Sequence, residues 1–134
     1  LFRLVGSEMC IRDRSDDLFD DARKIPILHC KWLDKYQKMV LMKKEAQYAF
    51  QKLYKEKYSF YMGREEECPD IKIMKNEVPI YLNADEELNK AQGRLDLYDT
   101  YEKTLKEILN NINNRSFQIK NAIDWLRYSR GIDE

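Results

Sequence analysis

The feature that most limits how this chain can fold is a row of apolar residues seven apart. Ala84, Ala91, Tyr98, Leu105, Ile112, Ile119 and Leu126 are all apolar. A second row, Leu88, Leu95, Glu102, Leu109, Ser116 and Ile123, departs from the pattern only at Glu102 and Ser116. Two rows at this spacing are the a and d positions of a heptad, and only a long α-helix gathers them into one stripe. At 1.5 Å per residue such a helix is on the order of 65 Å long. Asn110–Ser116 is a poor helix-forming stretch, but the rows keep register across it. Asn83 reads as the N-cap, with Glu86 at the third helical position as in a capping box.

A second long element precedes it. Ile25, Trp32, Met39, Ala46, Leu53 and Phe60 also recur every seventh residue, with Leu33, Val40, Tyr54 and Tyr61 alongside. No proline or glycine interrupts Ile27–Met62, and Gly63 is a natural stop. Upstream, Ser15 reads as the cap of a short helix that ends near Ile25, because proline disfavours helix in the residue before it. Pro26 then opens the next helix. Between Gly63 and Asn83, Ile71/Ile73 and Ile80/Leu82 alternate, a weak signal for one or two short strands. Pro79 restricts any such strand to a sheet edge.

The expected fold is therefore mainly α: two long helices joined by an irregular connector with short strands. "VGSEMCIRDR" looks like translated sequencing adapter, so residues 1–14 are set aside as non-native. A single helical domain over 15–134 remains, with a basic helical part (15–63), a connector (64–83) and a C-terminal helix (84–130). So long a seam, with no third layer to cover it, suggests burial against another copy as an oligomeric bundle or coiled coil. Leu95, Tyr98, Leu105, Leu109, Ile112, Ile119, Ile123 and Leu126 would form that contact. A monomeric helical hairpin is the alternative.

Charge narrows the function. The chain is neutral overall, yet Pro26–Gly63 holds eight lysines against three acids, and Glu65–Glu107 holds twelve acids against six bases. Such segregation points to an anionic partner, to self-complementary assembly, or to both. Three cysteines without regular spacing do not read as a disulfide framework. No apolar run approaches the roughly 20 residues of a membrane span. A membrane-surface helix is disfavoured by the acidic second half. His29 is the single histidine, and Cys30 beside it points about 100° away on a helix. With no phosphate loop and no metal-ligand spacing, the sequence reads as a non-enzyme without cofactor or metal.

One stretch invites a binding function. Lys52, Lys55, Lys57 and Arg64 cluster at a helix end, interleaved with Tyr54, Tyr58, Phe60 and Tyr61. Cations at a helix C-terminus are favoured by the macrodipole, which explains some of this charge. Cations with stacking rings are also what a sequence-tolerant site for single-stranded nucleic acid uses. On composition alone the two readings stand level.

The residues also carry a resemblance. "HCKWLDKY", "KLYKEKYSFYMG" and "NNRSFQIKNAIDWLRY", in that order, resemble the UvsY family of phage recombination mediators. The family's basic-aromatic run falls on Lys55, Lys57, Phe60, Tyr61 and Gly63. A second segment falls on Arg115, Phe117, Ile119, Lys120 and Ile123. The resemblance implies a non-enzymatic protein in the cytoplasm of an infected bacterium, assembled into hexameric or heptameric rings. Its partners would be single-stranded DNA, a UvsX-type recombinase and the phage single-strand-binding protein. Lys55 and Lys57 would contact phosphate, supported by Lys52 and Arg64. Tyr58 or Tyr61 would stack on bases while Phe60 packs. The rival reading is a coiled-coil adaptor with no nucleic-acid role.

Overall fold

A computed structural model describes residues 15–64, 69 and 71–131. Three helices follow in order: α1 (Ser15–Tyr61), α2 (Val78–Ala84) and α3 (Glu86–Arg130). The described residues contain no strand. They fall into two compact units, one of 15–37 with 103–131 and one of 38–102.

Three details differ from the sequence reading. First, α1 runs through Pro26 without ending. A proline inside a helix removes one hydrogen bond and costs about 3 kcal/mol. Here Pro26 lies on the exposed side, while Leu18, Ile25, Leu28 and Trp32 are buried or half-buried on one face. That face continues on both sides of the proline, and its burial outweighs the local penalty. Second, the stretch expected to hold β pieces forms α2 instead, with Pro79 within its first two positions. Burial at Val78 and Leu82 is an i, i+4 spacing, so the Ile80/Leu82 alternation carried no strand information. Ile71 and Ile73 lie in irregular chain. Third, α3 starts at Glu86, and its cap is Asp85 rather than Asn83. The Asp85 Oδ1 accepts the N–H of Glu87 at 3.0 Å and of Leu88 at 3.1 Å, two of the donors that a helix start leaves open. Ala84, first in the heptad row, belongs to α2 and is exposed.

In the first unit, Leu18 and Trp32 from α1 and Leu105, Ile108, Leu109, Ile112 and Ile119 from α3 form the buried set. Lys35 places its Nζ 4.2 Å from the centre of the Trp32 ring, a cation–π contact. Two charged residues are buried here as well: Asp21 and Arg115 line a cleft of about 40 Å³ with Lys24, Ile25 and Leu28. Ile112 is fully buried and Leu109 nearly so. The single chain thus already covers Leu105, Leu109, Ile112 and Ile119, residues that the seam argument assigned to contact between copies.

In the second unit, α2 lays Val78 and Leu82 against Leu88 of α3, and Phe50, Leu53, Tyr58, Tyr61, Met62 and Ile73 pack around them. This is the local third layer for which the heptad argument made no allowance. Farther along, Lys43 of α1 donates to Asp99 at 2.7 Å and to Glu102 at 2.8 Å on α3. Glu102, the charged residue in an apolar row, is there as an acceptor for Lys43. These contacts hold the lysine's proton well above the ordinary range, the Asp99 bond first and the Glu102 bond second.

Candidate nucleic-acid interface

The basic-aromatic segment is the last part of α1 and its exit. Gly63 takes φ +70°, a left-handed conformation that glycine adopts without a Cβ penalty. The Arg64 N–H reaches the Ser59 carbonyl at 3.1 Å, and the Gly63 N–H reaches the Phe60 carbonyl at 3.1 Å. This pair of bonds is a Schellman motif. It ends the helix and projects Arg64 into solvent.

The six residues expected to meet DNA divide into two groups. Lys52, Lys55 and Arg64 are exposed. Lys57, Tyr58 and Tyr61 are half-buried and turn toward α2 and α3. Tyr58 packs on the Val78–Leu82–Leu88 cluster. Tyr61 does the same, sits 5.8 Å from the Tyr81 ring and 5.2 Å from that of Phe60, and donates its hydroxyl to Asp85 Oδ2 at 2.8 Å. The Lys57 Nζ lies 3.4 Å from Asp85 Oδ2 and 3.2 Å from Glu87 Oε2. Phe60 is half-buried, as its place on the Leu53 row implied.

Asp85 is the hub of this end of the unit. One carboxylate oxygen caps α3 and the other takes Tyr61 and Lys57. Its side chain is only 7% exposed. Burial pushes its pKa up, but hydrogen bonds from the Leu88 N–H, Tyr61 and Lys57 outweigh that, and the carboxyl is held below its ordinary 3.8. For Lys57, burial favours loss of the proton, and the Glu87 and Asp85 contacts reverse it, so the net shift is upward. Tyr61 is raised first by burial and then by its bond to Asp85. At neutral pH the arrangement is a carboxylate with a neutral phenol and an ammonium.

Sequence reasoning missed Asp85 because Asn83 is an equally good cap residue by type. The usable signal was Asp85 directly before two acids, which suit the positive end of a helix. Lys43 with Glu102 was also missed, although a carboxylate inside an apolar row asks for a cation opposite.

Of the residues assigned to assembly, Leu95, Tyr98, Ile123 and Leu126 are half-buried, and the other four are buried within the first unit. The outer side of the same helix exposes Phe117, Trp125 and Tyr128, with the last two rings 6.0 Å apart. His29 is half-buried and Cys30 exposed, both on α1. Glu65–Cys68 lies outside the described residues. Among those described, no group of His, Cys, Asp and Glu could hold a metal, and no helix is long and apolar enough to cross a membrane.

The family described as "Recombination, repair and ssDNA binding protein UvsY" matches residues 7–132, nearly the whole chain. The chain belongs to the UvsY family. No curated protein matches it in sequence. Its fold is similar to crystal structures of the bacteriophage T4 recombination mediator protein UvsY. One crystal form superposes with a TM-score of 0.85 over 95% of this chain and 96% of that one, at 22% identity. A second gives 0.87 over 96% and 93%, also at 22% identity. A third gives 0.82 at 20% identity. At these identities the likeness fixes the fold, and the family match carries the rest.

Proposed function

We propose that this UvsY-family chain is a recombination mediator that acts without catalysing a reaction of its own. It binds single-stranded DNA as a homo-oligomer and helps a UvsX-type recombinase load onto DNA covered by the phage single-strand-binding protein, in the cytoplasm of the infected cell. The observation that carries the reading is the cluster of exposed Lys52, Lys55 and Arg64 at the end of α1, in a chain of this family. Exposed cations can neutralise phosphates at little desolvation cost, and each phosphate neutralised releases counterions. Lys57 contributes in a second way. Its ammonium sits between two carboxylates, so a phosphate can replace one of them at small cost.

A patch of three or four cations is weak alone at physiological salt. Several copies on one assembly gain affinity by effective concentration, and a strand held along them is extended for filament nucleation. Residues 15–63 supply the DNA motif in this reading, 64–83 connect, and 84–130 build the assembly.

The test is fluorescence anisotropy with labelled oligo(dT) across a salt series. Lys55→Ala with Lys57→Ala should weaken binding and reduce the log–log salt slope by about 1.4, at roughly 0.7 per phosphate contact on a single strand. Unchanged affinity and slope would exclude the site. Loading is then read as recombinase ATPase on strands precoated with single-strand-binding protein; no stimulation by the wild type would refute the mediator role.

A further inference from the structure

Of the rings around the basic cluster, Tyr58, Phe60 and Tyr61 are half-buried in the fold. Tyr54 is 45% exposed, with its ring 6.2 Å from that of Phe50. One turn before Lys52 a ring stands freer. Tyr48 is 68% exposed. Phe50, two residues later and about 200° around the helix, packs in the core cluster, so Tyr48 stands on the opposite, outward face. Lys44 and Lys52, one turn before and one turn after it, are both exposed, as is Lys55, two turns after it and about 20° around the helix from it. From Lys44 to Lys55 this ridge is about 16 Å long. Glu45 and Glu56, also exposed, lie on the same flank of Tyr48 as Lys52, while Lys44 and Lys55 lie on the other.

We infer that the outward face of α1, comprising Lys44, Tyr48, Lys52 and Lys55, is the track for single-stranded DNA, with Tyr48 as its base-stacking platform. The claim rests on the single-strand-binding function proposed above and moves the stacking role away from Tyr58 and Tyr61. The chemistry favours a single strand over other occupants. Three lysines around a solvated ring match a polyanion that also presents unpaired aromatic faces. A duplex offers the charge without the open base faces, and an apolar protein partner has no use for three desolvated ammoniums. Tyr58 and Tyr61 cannot serve without abandoning the Val78–Leu82–Leu88 cluster and, for Tyr61, the hydrogen bond to Asp85.

The experiment compares full-length wild type, Tyr48→Ala, Tyr48→Phe and Lys55→Ala for binding to labelled oligo(dT) over a salt series, with a mixed-sequence duplex as control. Tyr48→Ala should weaken oligo(dT) binding about tenfold, within the range that one stacked base supplies. Its salt slope should match the wild type, because no phosphate contact is removed. Tyr48→Phe should restore the affinity, and duplex binding should not respond to either change. The site is exposed, so a folding defect is not expected, and circular dichroism verifies that. Tyr48→Ala binding within twofold of wild type, while Lys55→Ala binds weakly, would overturn the stacking platform and leave the DNA-binding function standing. A wild type that ignores oligo(dT) even at low salt would overturn both.

Discussion

Asp85 illustrates how much one side chain can hold. It ends α2 with its backbone N–H on the Leu82 carbonyl at 3.3 Å, starts α3 with one carboxylate oxygen, and uses the other to hold Tyr61 and Lys57. Asp85→Ala removes the cap and leaves the Tyr61 hydroxyl and the Lys57 ammonium without their acceptor. Losing the cap alone costs about 1 kcal/mol, and an abandoned polar partner costs a further 1 kcal/mol or more. Chemical denaturation should therefore show a loss of roughly 2 kcal/mol; a loss below about 0.5 kcal/mol would refute the hub. The same residue sets a pH dependence. Its folded pKa lies below the ordinary 3.8, so the stability it contributes is fully present above that value and is lost as pH falls through the folded pKa. Lys57 and Tyr61 are shifted upward, so their contribution is complete at neutral pH and disappears only above their ordinary 10.5 and 10.0. Unfolding midpoints measured from pH 7 downward should fall below about pH 4 in the wild type, and less steeply in Asp85→Ala. Parallel acid limbs in the two proteins would contradict this assignment.

At the scale of the elements, the heptad rows located both long helices, because a seven-residue apolar period has only one compact solution. All six residues of the α1 row from Ile25 to Phe60 are at least half-buried. What the rows could not say is which partner covers them, since a seam looks the same whether its complement lies in the same chain or in another. The Pro26 boundary failed for a related reason. A local rule about the residue before proline competed with a face that runs from Leu18 to Trp32, and the non-local term won. In the site, the exposed lysines could be named from their type, but the inward turn of Tyr58 and Tyr61 depended on α2, a helix that the alternation at Ile80/Leu82 disguised. The burial of Ile112 gives a direct check on where the seam is spent. Ile112→Ala leaves a cavity in the first unit and should cost about 2–5 kcal/mol in folding stability. If the residue served only contact between copies, light scattering would instead report dissociation at unchanged chain stability.

For the whole molecule, the question becomes which surface of the chain another copy would cover. Leu105, Leu109, Ile112 and Ile119 of the α3 seam are already buried within the chain, so the proposed assembly would draw on what remains outside. Phe117, Trp125 and Tyr128 are 66%, 67% and 73% exposed on α3, at spacings that place them along one side of the helix. Large rings presented this way are the usual anchors of a protein interface. Putting a charge there should therefore separate assembly from folding. Trp125→Glu is expected to keep the wild-type circular dichroism and unfolding midpoint while the mass by light scattering falls toward a single chain. DNA binding should fall with it, because the ridge on α1 loses its neighbours; linked sites commonly gain 10²–10⁴ in avidity, and that gain is what a dispersed chain forfeits. The two losses must appear together. A variant that stays fully assembled moves the interface elsewhere on the chain, and a dispersed variant that grips oligo(dT) as tightly as wild type shows that one copy of the lysine ridge is enough.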